Sequence, residues 1–100
     1  MMKSMIRYKV KADRAEENQH FVENVFEELR RRSPAGLHYA TFKLKDGVSF
    51  VHIVSRDAPE NPLSQSPAFQ AFQAGIQDRC EEQPVAVQLE EVGSYQFFSE

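Results

Sequence analysis

The segment LHYATFKLKDGVSFVHIV, residues 37–54, contains two runs of alternating apolar and polar side chains joined by Asp46-Gly47. Alternation with a period of two is typical of a half-buried β-strand. Asp-Gly between two such runs favours a two-residue turn, because these residues accept the positive φ angles that a type I′ turn requires. The segment therefore predicts a β-hairpin.

A two-residue turn places alternate residues of the hairpin on opposite faces, with Thr41 opposite His52. One face mixes large apolar side chains with polar ones: Tyr39, Thr41, Lys43, Lys45, Val48, Phe50, His52 and Val54. The other face has an apolar centre, with His38 at its end: Ala40, Phe42, Val51 and Ile53. The apolar centre predicts packing against helices, and the mixed face predicts a ligand cavity or a semi-polar subunit interface.

Periodicity elsewhere in the chain predicts further strands and two helices. Residues 4–11 and 85–92 alternate and are predicted strands, and residues 94–98 are a candidate for a short extra strand. Residues 13–36 and 66–83 have apolar side chains at helical spacing. The order β-α-β-β-α-β predicts one ferredoxin-like α+β domain spanning the 100 residues, with a four-stranded antiparallel sheet and both helices on one face.

The predicted helices carry recognisable end signals. Asp13, followed by Glu16 three residues later, predicts an N-cap with a capping box at the start of the first helix. Ser66 is the predicted N-cap of the second helix, and Pro67 occupies its first position, where a missing N–H costs nothing. Pro84 marks the predicted exit from the second helix.

The composition predicts a cytoplasmic protein and argues against several partners. The net charge is −3, whereas nucleic-acid binders usually carry a basic face. No apolar run approaches the ~18–20 residues of a membrane span, and the first residues lack the apolar core of a signal peptide. Cys80 is the single cysteine, so no disulfide can form within the chain.

Residues 33–55 (SPAGLHYATFKLKDGVSFVHIVS) and 63–76 (LSQSPAFQAFQAGI) resemble the antibiotic biosynthesis monooxygenase type of dimeric α/β barrel, as does the order of elements. The resemblance spans about residues 6–92. It implies a homodimer in which the open sheet faces of two subunits pack together and each half encloses a small cavity. Members of that family include cofactor-independent oxygenases of aromatic polyketides and quinols, haem-degrading enzymes and many proteins of unknown activity.

The mixed face and the resemblance together predict an oxygenase that acts on a small aromatic or quinol-type substrate without a bound cofactor. His52 and Tyr39 are the predicted catalytic residues, with His52 as the base because its unperturbed pKa lies near neutrality. Tyr39 and Thr41 would hydrogen-bond the phenolate oxygen of the substrate. Phe50 would stack on the substrate, and Val54 would contribute to the binding surface.

Arg7 is a further candidate for substrate binding. It lies opposite Ile6 and Tyr8 on a predicted central strand, so it would reach into the barrel if the Ile6 side packs on the helices. A buried cation there would need an anionic partner, which is either Glu90 or Glu91 or an acidic ligand.

Two alternatives stay open at this point. A non-catalytic homodimer that binds a ligand or regulates would have the same cavity without turnover. Haem held by a single histidine is the other alternative. His20, His38 and His52 show no metal-ligand spacing, so the sequence predicts no metal site.

Overall fold

The computed structural model describes residues 2–57 and 60–97. The strands are β1 (Met2–Val10), β2 (Leu37–Lys43), β3 (Ser49–Arg56) and β4 (Cys80–Leu89), and the helices are α1 (Ala15–Arg32), α2 (Pro67–Ala74) and α3 (Ile76–Arg79). Short 3₁₀ turns precede α1 and α2, at Ala12–Arg14 and Pro62–Gln65. The strands form one antiparallel sheet in the order β2-β3-β1-β4, with the helices on one face. This confirms the predicted ferredoxin-like fold.

The hairpin has the predicted register but a different turn. Thr41 lies opposite His52, as predicted. Of the two turn residues only Gly47 has a positive φ, of 78°, so the type I′ turn is wrong. The Asp46 side chain closes a longer loop instead, by accepting hydrogen bonds from the backbone N–H groups of Val48 and Ser49 and from the Ser49 hydroxyl. These hydrogen bonds lower the pKa of Asp46 to about 2.

The two faces of the hairpin are exchanged relative to the prediction. The mixed face packs on the helices, where Phe50 is 2% and His52 3% exposed. The apolar face is the open one, where Phe42 is 47% exposed and Val85 of β4 is 62% exposed. The prediction failed because it treated the polar side chains of the hairpin as lacking partners. Tyr39 and Thr41 contact one ring nitrogen of His52 within the hairpin, and the other ring nitrogen contacts Tyr8 of β1, which the hairpin sequence cannot reveal.

The start of α1 also differs from the prediction. Asp13 lies in the 3₁₀ turn before the helix, and no side chain caps the first turn of α1. The predicted capping box with Glu16 is therefore wrong. Arg14 at the helix boundary instead donates to Glu17, with Nε 2.6 Å from the carboxylate oxygen.

The second helix begins as predicted and ends early. The Ser66 hydroxyl accepts from the Phe69 N–H, and Pro67 is the first helical residue. The helix is interrupted at Gly75, and β4 already begins at Cys80, so Pro84 lies inside a strand. An edge strand tolerates proline where no ladder hydrogen bond is needed, and the pairing of β4 with β1 is irregular at this point.

The last segment of the chain follows β4 without further regular structure among its described residues. Residues 94–97 form no strand, and residue 98 of the predicted extra strand lies outside the described residues. No helix within residues 2–57 and 60–97 combines the length and apolar character that crossing a membrane requires.

Candidate functional site

A cavity of about 290 Å³ lies between the helix-facing side of the sheet and the helical layer. Its described lining residues are Met2, Ser4, Ile6, Tyr8, Tyr39, His52, Val54, Arg56, Asn61, Leu63, Phe69, Phe72, Gln73, Ile76 and Pro84. Most of this wall is apolar or aromatic. Its polar side chains include the buried Tyr8–His52–Tyr39 group and Arg56, and Ser4 lies on β1 between the levels of His52 and Arg56.

His52 is surrounded by hydroxyl groups. Its Nε2 lies 2.8 Å from the Tyr8 hydroxyl, and its Nδ1 lies 2.6 Å from the Tyr39 hydroxyl and 3.1 Å from Thr41 Oγ1. The ring also packs against Phe72, with the ring centroids 5.4 Å apart. Strand pairing creates this cluster, because Tyr39 and Thr41 lie on β2 beside β3, and Tyr8 lies on β1 at its other side.

The cluster continues through α1 to a buried arginine. Asn18 Nδ2 donates to the Tyr8 hydroxyl at 2.9 Å, and Arg79 Nε donates to Asn18 Oδ1 at 3.1 Å. Asn18 and Arg79 are both 0% exposed. The guanidinium also donates to the Phe72 carbonyl at 2.6 Å and lies over the Phe21 ring, 4.5 Å from its centroid. No carboxylate among the described residues forms an ion pair with Arg79.

Arg79 gives this chain of hydrogen bonds a direction. A guanidinium only donates, so the Asn18 atom that it contacts must be the carbonyl oxygen, and the Asn18 amide must donate to Tyr8. The Tyr8 hydroxyl then has one described acceptor for its hydrogen, which is His52 Nε2. His52 therefore carries its proton on Nδ1 and donates it to Tyr39 or Thr41. One oxygen lone pair of Tyr8 has no partner within residues 2–57 and 60–97.

Burial keeps Tyr8, Tyr39 and His52 uncharged at neutral pH. It lowers the pKa of His52 to about 4, because the imidazolium would lose its hydration. Burial also raises the pKa of Tyr39 to about 12 and raises the pKa of Tyr8 well above its ordinary value. The sequence analysis predicted His52 as a base because its unperturbed pKa lies near neutrality. In the structure, burial lowers that pKa.

The structure brings some of the predicted site residues together and separates others. His52, Tyr39 and Val54 line the cavity. Thr41 reaches the His52 ring. Phe50 stacks behind the cavity on the ring of Tyr8, with the centroids 5.6 Å apart.

Arg7 does not belong to this site. It is exposed on the open face of the sheet and pairs in register with Val51 and Val85. The Ile6 side does face the helices, which was the condition for Arg7 to reach into the barrel, but the cavity lies on that same side. Arg7 and His52 therefore point to opposite sides of the sheet.

Sequence reasoning missed Asn18 and Arg79 as members of the site. Asn18 occupies a position of the apolar stripe of α1, where a polar residue needs a buried partner. Arg79 gave no such signal, because a charged residue before a predicted helix exit is usually solvated. The structure buries it because the helix ends at that residue and β4 begins at the next.

The described residues do not favour a metal centre. They contain no group of three or more His, Cys, Asp or Glu side chains that could hold a metal ion. Both ring nitrogens of His52 are engaged by hydroxyl groups, so neither is free for a haem iron. His20 and His38 are on the surface.

Solved structures of other proteins share this fold. A protein from Nitrosomonas europaea classed with the antibiotic biosynthesis monooxygenases has a TM-score of 0.75 at 14% identity, over 93% of this chain and 100% of that one. One from Bacteroides thetaiotaomicron scores 0.73 at 19% identity, over 91% and 89%. One from Caulobacter crescentus scores 0.67 at 18% identity, over 92% and 90%.

These similarities show that the chain has the fold of the antibiotic biosynthesis monooxygenases, which is the resemblance inferred from the sequence. At identities this low the comparison establishes the fold alone. No family model matches the chain. No curated protein matches its sequence.

The lowered pKa of His52 makes stability depend on pH. Since the folded pKa is about 4 and the ordinary value is 6.5, the unfolded chain binds a proton at higher pH than the folded chain. The part of the stability that depends on neutral His52 is present above pH 6.5. It is lost as the pH falls towards 4, because the unfolded chain takes up the proton first. We expect the free energy of unfolding to fall by about 2 kcal/mol between pH 7 and pH 5, measured by urea unfolding.

Variants of two histidines test whether His52 causes this pH dependence of stability. His52→Gln should flatten the stability profile between pH 7 and pH 5, although it also lowers stability overall by removing hydrogen bonds. His38→Gln, a change at an exposed histidine, should leave the slope as it is. A slope that survives in His52→Gln would contradict the neutral buried histidine.

The direction of the hydrogen-bond chain can be reversed by Asn18→Asp. A carboxylate only accepts, so it would pair with Arg79 and take the hydrogen of the Tyr8 hydroxyl. Tyr8 would then accept from His52, and the histidine proton would move from Nδ1 to Nε2. Proton–nitrogen correlation NMR of the ring reports this tautomer directly. Asn24→Asp, at an exposed position of the same helix, is the matched control, and an unchanged tautomer in Asn18→Asp would contradict the assigned direction.

Proposed function

We propose that the protein binds a small phenol- or quinol-type aromatic molecule in the cavity and oxidises it with O₂ without a bound cofactor. The observation that carries this proposal is an aromatic cavity that ends on a buried, uncharged cluster of Tyr8, His52 and Tyr39. The volume of about 290 Å³ is at the lower end of the range typical of small-molecule sites.

The walls of the cavity suit a flat apolar ring. Phe69 and Phe72 stack on each other, with centroids 5.9 Å apart, and both line the cavity together with Ile76 and Val54. A ring between these side chains would lose its water shell. The phenolic oxygen would then be directed to the hydroxyl groups of Tyr8 and Tyr39, which are the polar atoms at this end.

The hydrogen-bond direction defines a route for the substrate proton. The free lone pair of Tyr8 accepts the phenolic hydrogen, and the hydrogen of Tyr8 passes to His52 Nε2. The imidazolium formed would keep its Nδ1–H bond to Tyr39 or Thr41. A phenolate formed nearby raises the pKa of His52 while it is bound, because opposite charges at short range favour each other.

The deprotonated substrate supplies all the electrons for the reaction. An electron-rich phenolate or enolate transfers electrons to O₂ and then forms a carbon–oxygen bond. One oxygen atom remains in the product, the other leaves as water, and the substrate gives up four electrons in total. No external reductant is needed, and the protein contributes binding, exclusion of water and proton transfer.

The second candidate function is a non-catalytic ligand-binding module. The observation that favours it is the low basicity of His52, whose pKa of about 4 leaves little driving force for taking a proton from a phenol. Both functions use the same cavity and the same polar cluster. They differ only in whether bound ligand is converted.

We also propose that two copies of the chain form a homodimer through the open face of the sheet. Phe42, Val85 and Val87 are exposed there at 47%, 62% and 42%, and several exposed large apolar side chains on one face are typical of an interaction site. The cavity lies on the other face, between the sheet and the helices of the same chain. Dimerisation is thus proposed to cover the sheet rather than to close the cavity.

Oxygen uptake with anthrone and with a naphthohydroquinone tests the proposed oxidation, after subtraction of the spontaneous rate. Tyr8→Phe removes the proposed proton acceptor and is expected to lower kcat by about 100-fold, with a smaller effect on affinity. Tyr95→Phe, at an 85% exposed tyrosine, is the matched control and should react like the wild type. Binding without turnover would favour the binding module, and no binding of either compound would contradict both functions.

Sedimentation at several concentrations tests the dimer. We expect a mass near twice 11.5 kDa for the wild type and a monomer for Phe42→Asp, because Phe42 lies opposite Val51 and a buried unpaired carboxylate at the interface is strongly unfavourable. Val92→Asp, at a 98% exposed valine beyond β4, introduces a carboxylate outside the proposed interface and should remain dimeric. A wild-type monomer at every concentration would contradict the proposed dimer.

A further inference from the structure

The end of the cavity remote from the tyrosines has a different chemistry. Among the described lining residues, Arg56 is the only one whose side chain is charged at neutral pH, and no Asp or Glu lines the wall. Arg56 follows Val54 and His52 at alternate positions of β3, so the three share the helix-facing side. Arg56 is four positions after His52 on the strand, which corresponds to about 13 Å between their Cα atoms.

Arg56 has no anionic partner among the described residues. The guanidinium of Arg56 donates from Nη2 to the Met2 sulfur at 3.9 Å. None of the ion pairs within residues 2–57 and 60–97 includes Arg56. The chain as a whole has more acidic than basic residues, 15 against 12. A half-buried arginine at a cavity wall without a carboxylate can therefore accept an anionic group of a ligand.

A second donor accompanies Arg56 at this end. The Asn61 side-chain oxygen accepts from the Leu63 N–H at 3.1 Å, which fixes the orientation of the amide. Asn61 lines the cavity, and its Nδ2 group donates to no described residue, so its hydrogens are available for a ligand. A guanidinium fork beside an amide N–H₂ group is suited to a planar carboxylate, which accepts several hydrogen bonds in one plane.

We infer that the ligand is a hydroxyaryl carboxylate, with its phenolic hydroxyl at Tyr8 and Tyr39 and its carboxylate at Arg56 and Asn61. This inference rests on the proposed function, because it assumes that the cavity takes an aromatic ring. It adds the charge of the ligand and its orientation. The two polar ends of the cavity select opposite ends of one molecule, and the aromatic wall between them holds the ring.

A matched pair of compounds tests the inference on the wild-type protein. The probes are 3-(4-hydroxyphenyl)propionate and its methyl ester, which differ in the charge at one end only. We expect the carboxylate to bind about 10-fold more tightly than the ester, measured by calorimetry, with a preference that declines as salt is added. Equal affinity would overturn the inference and leave aromatic binding intact. Binding of neither probe would overturn the inference together with the proposed function.

Variants of two arginines test whether Arg56 causes the preference for the carboxylate over the ester. Arg56→Met keeps the apolar stem and removes the charge, so it should bind the carboxylate and the ester with equal affinity, while binding of the ester remains measurable. Arg31→Met is the control for net charge, since Arg31 lies on an exposed turn of α1 and pairs with Glu27. A tenfold preference that persists in Arg56→Met would overturn the role of Arg56. The ester affinity of the variant shows that its cavity is still formed.

Discussion

The hydrogen bond from Arg79 Nε to Asn18 Oδ1 joins the end of the helical layer to α1 at a point where neither side chain reaches solvent. A buried guanidinium can only donate, and it cannot release its proton at any ordinary pH. Its neighbours must therefore arrange their own donors and acceptors around it. The amide of Asn18, the hydroxyl of Tyr8 and the tautomer of His52 all follow from that constraint, and the polar end of the cavity has one hydrogen-bond direction.

This arrangement explains how an arginine is tolerated in the core without a carboxylate. Desolvation lowers the pKa of Arg79, and the positive charge is stabilised by the Asn18 and Phe72 oxygens and by the faces of two phenylalanine rings. The charge is thus stabilised by dipoles and not by an opposite charge. The tyrosine and histidine beyond Asn18 stay neutral, so a ligand meets hydroxyl groups in a region without a full negative charge.

Much of the fold could be predicted from local patterns in the sequence. The hairpin register followed from Asp46-Gly47, and it holds although the turn is of another type, because the Asp46 side chain replaces the backbone geometry that was expected. The faces could not be assigned from the hairpin alone. Thr41 contacts His52 within the hairpin, but the second ring nitrogen of His52 has its partner in Tyr8, which accepts in turn from Asn18, and both residues are far away in the sequence. The burial of Arg79 could not be predicted for a similar reason, since it depends on where α3 ends.

The exchange of faces separates the ligand cavity from the subunit interface, which the sequence analysis had placed on the same face of the sheet. The sequence predicted that the mixed face is turned towards the other subunit, so that the cavity would exist only in the dimer, and it predicted separately that Arg7 reaches into that cavity. With that face turned towards the helices, each chain builds its own cavity from β1, β3 and α2, and Arg56 replaces Arg7 as the cation within reach of a ligand. The open face is then left with an apolar surface of Phe42 and Val85 that contributes nothing to the cavity. Ligand recognition and association of subunits therefore depend on different side chains of the same strands, because alternate residues of a strand point to opposite sides of the sheet.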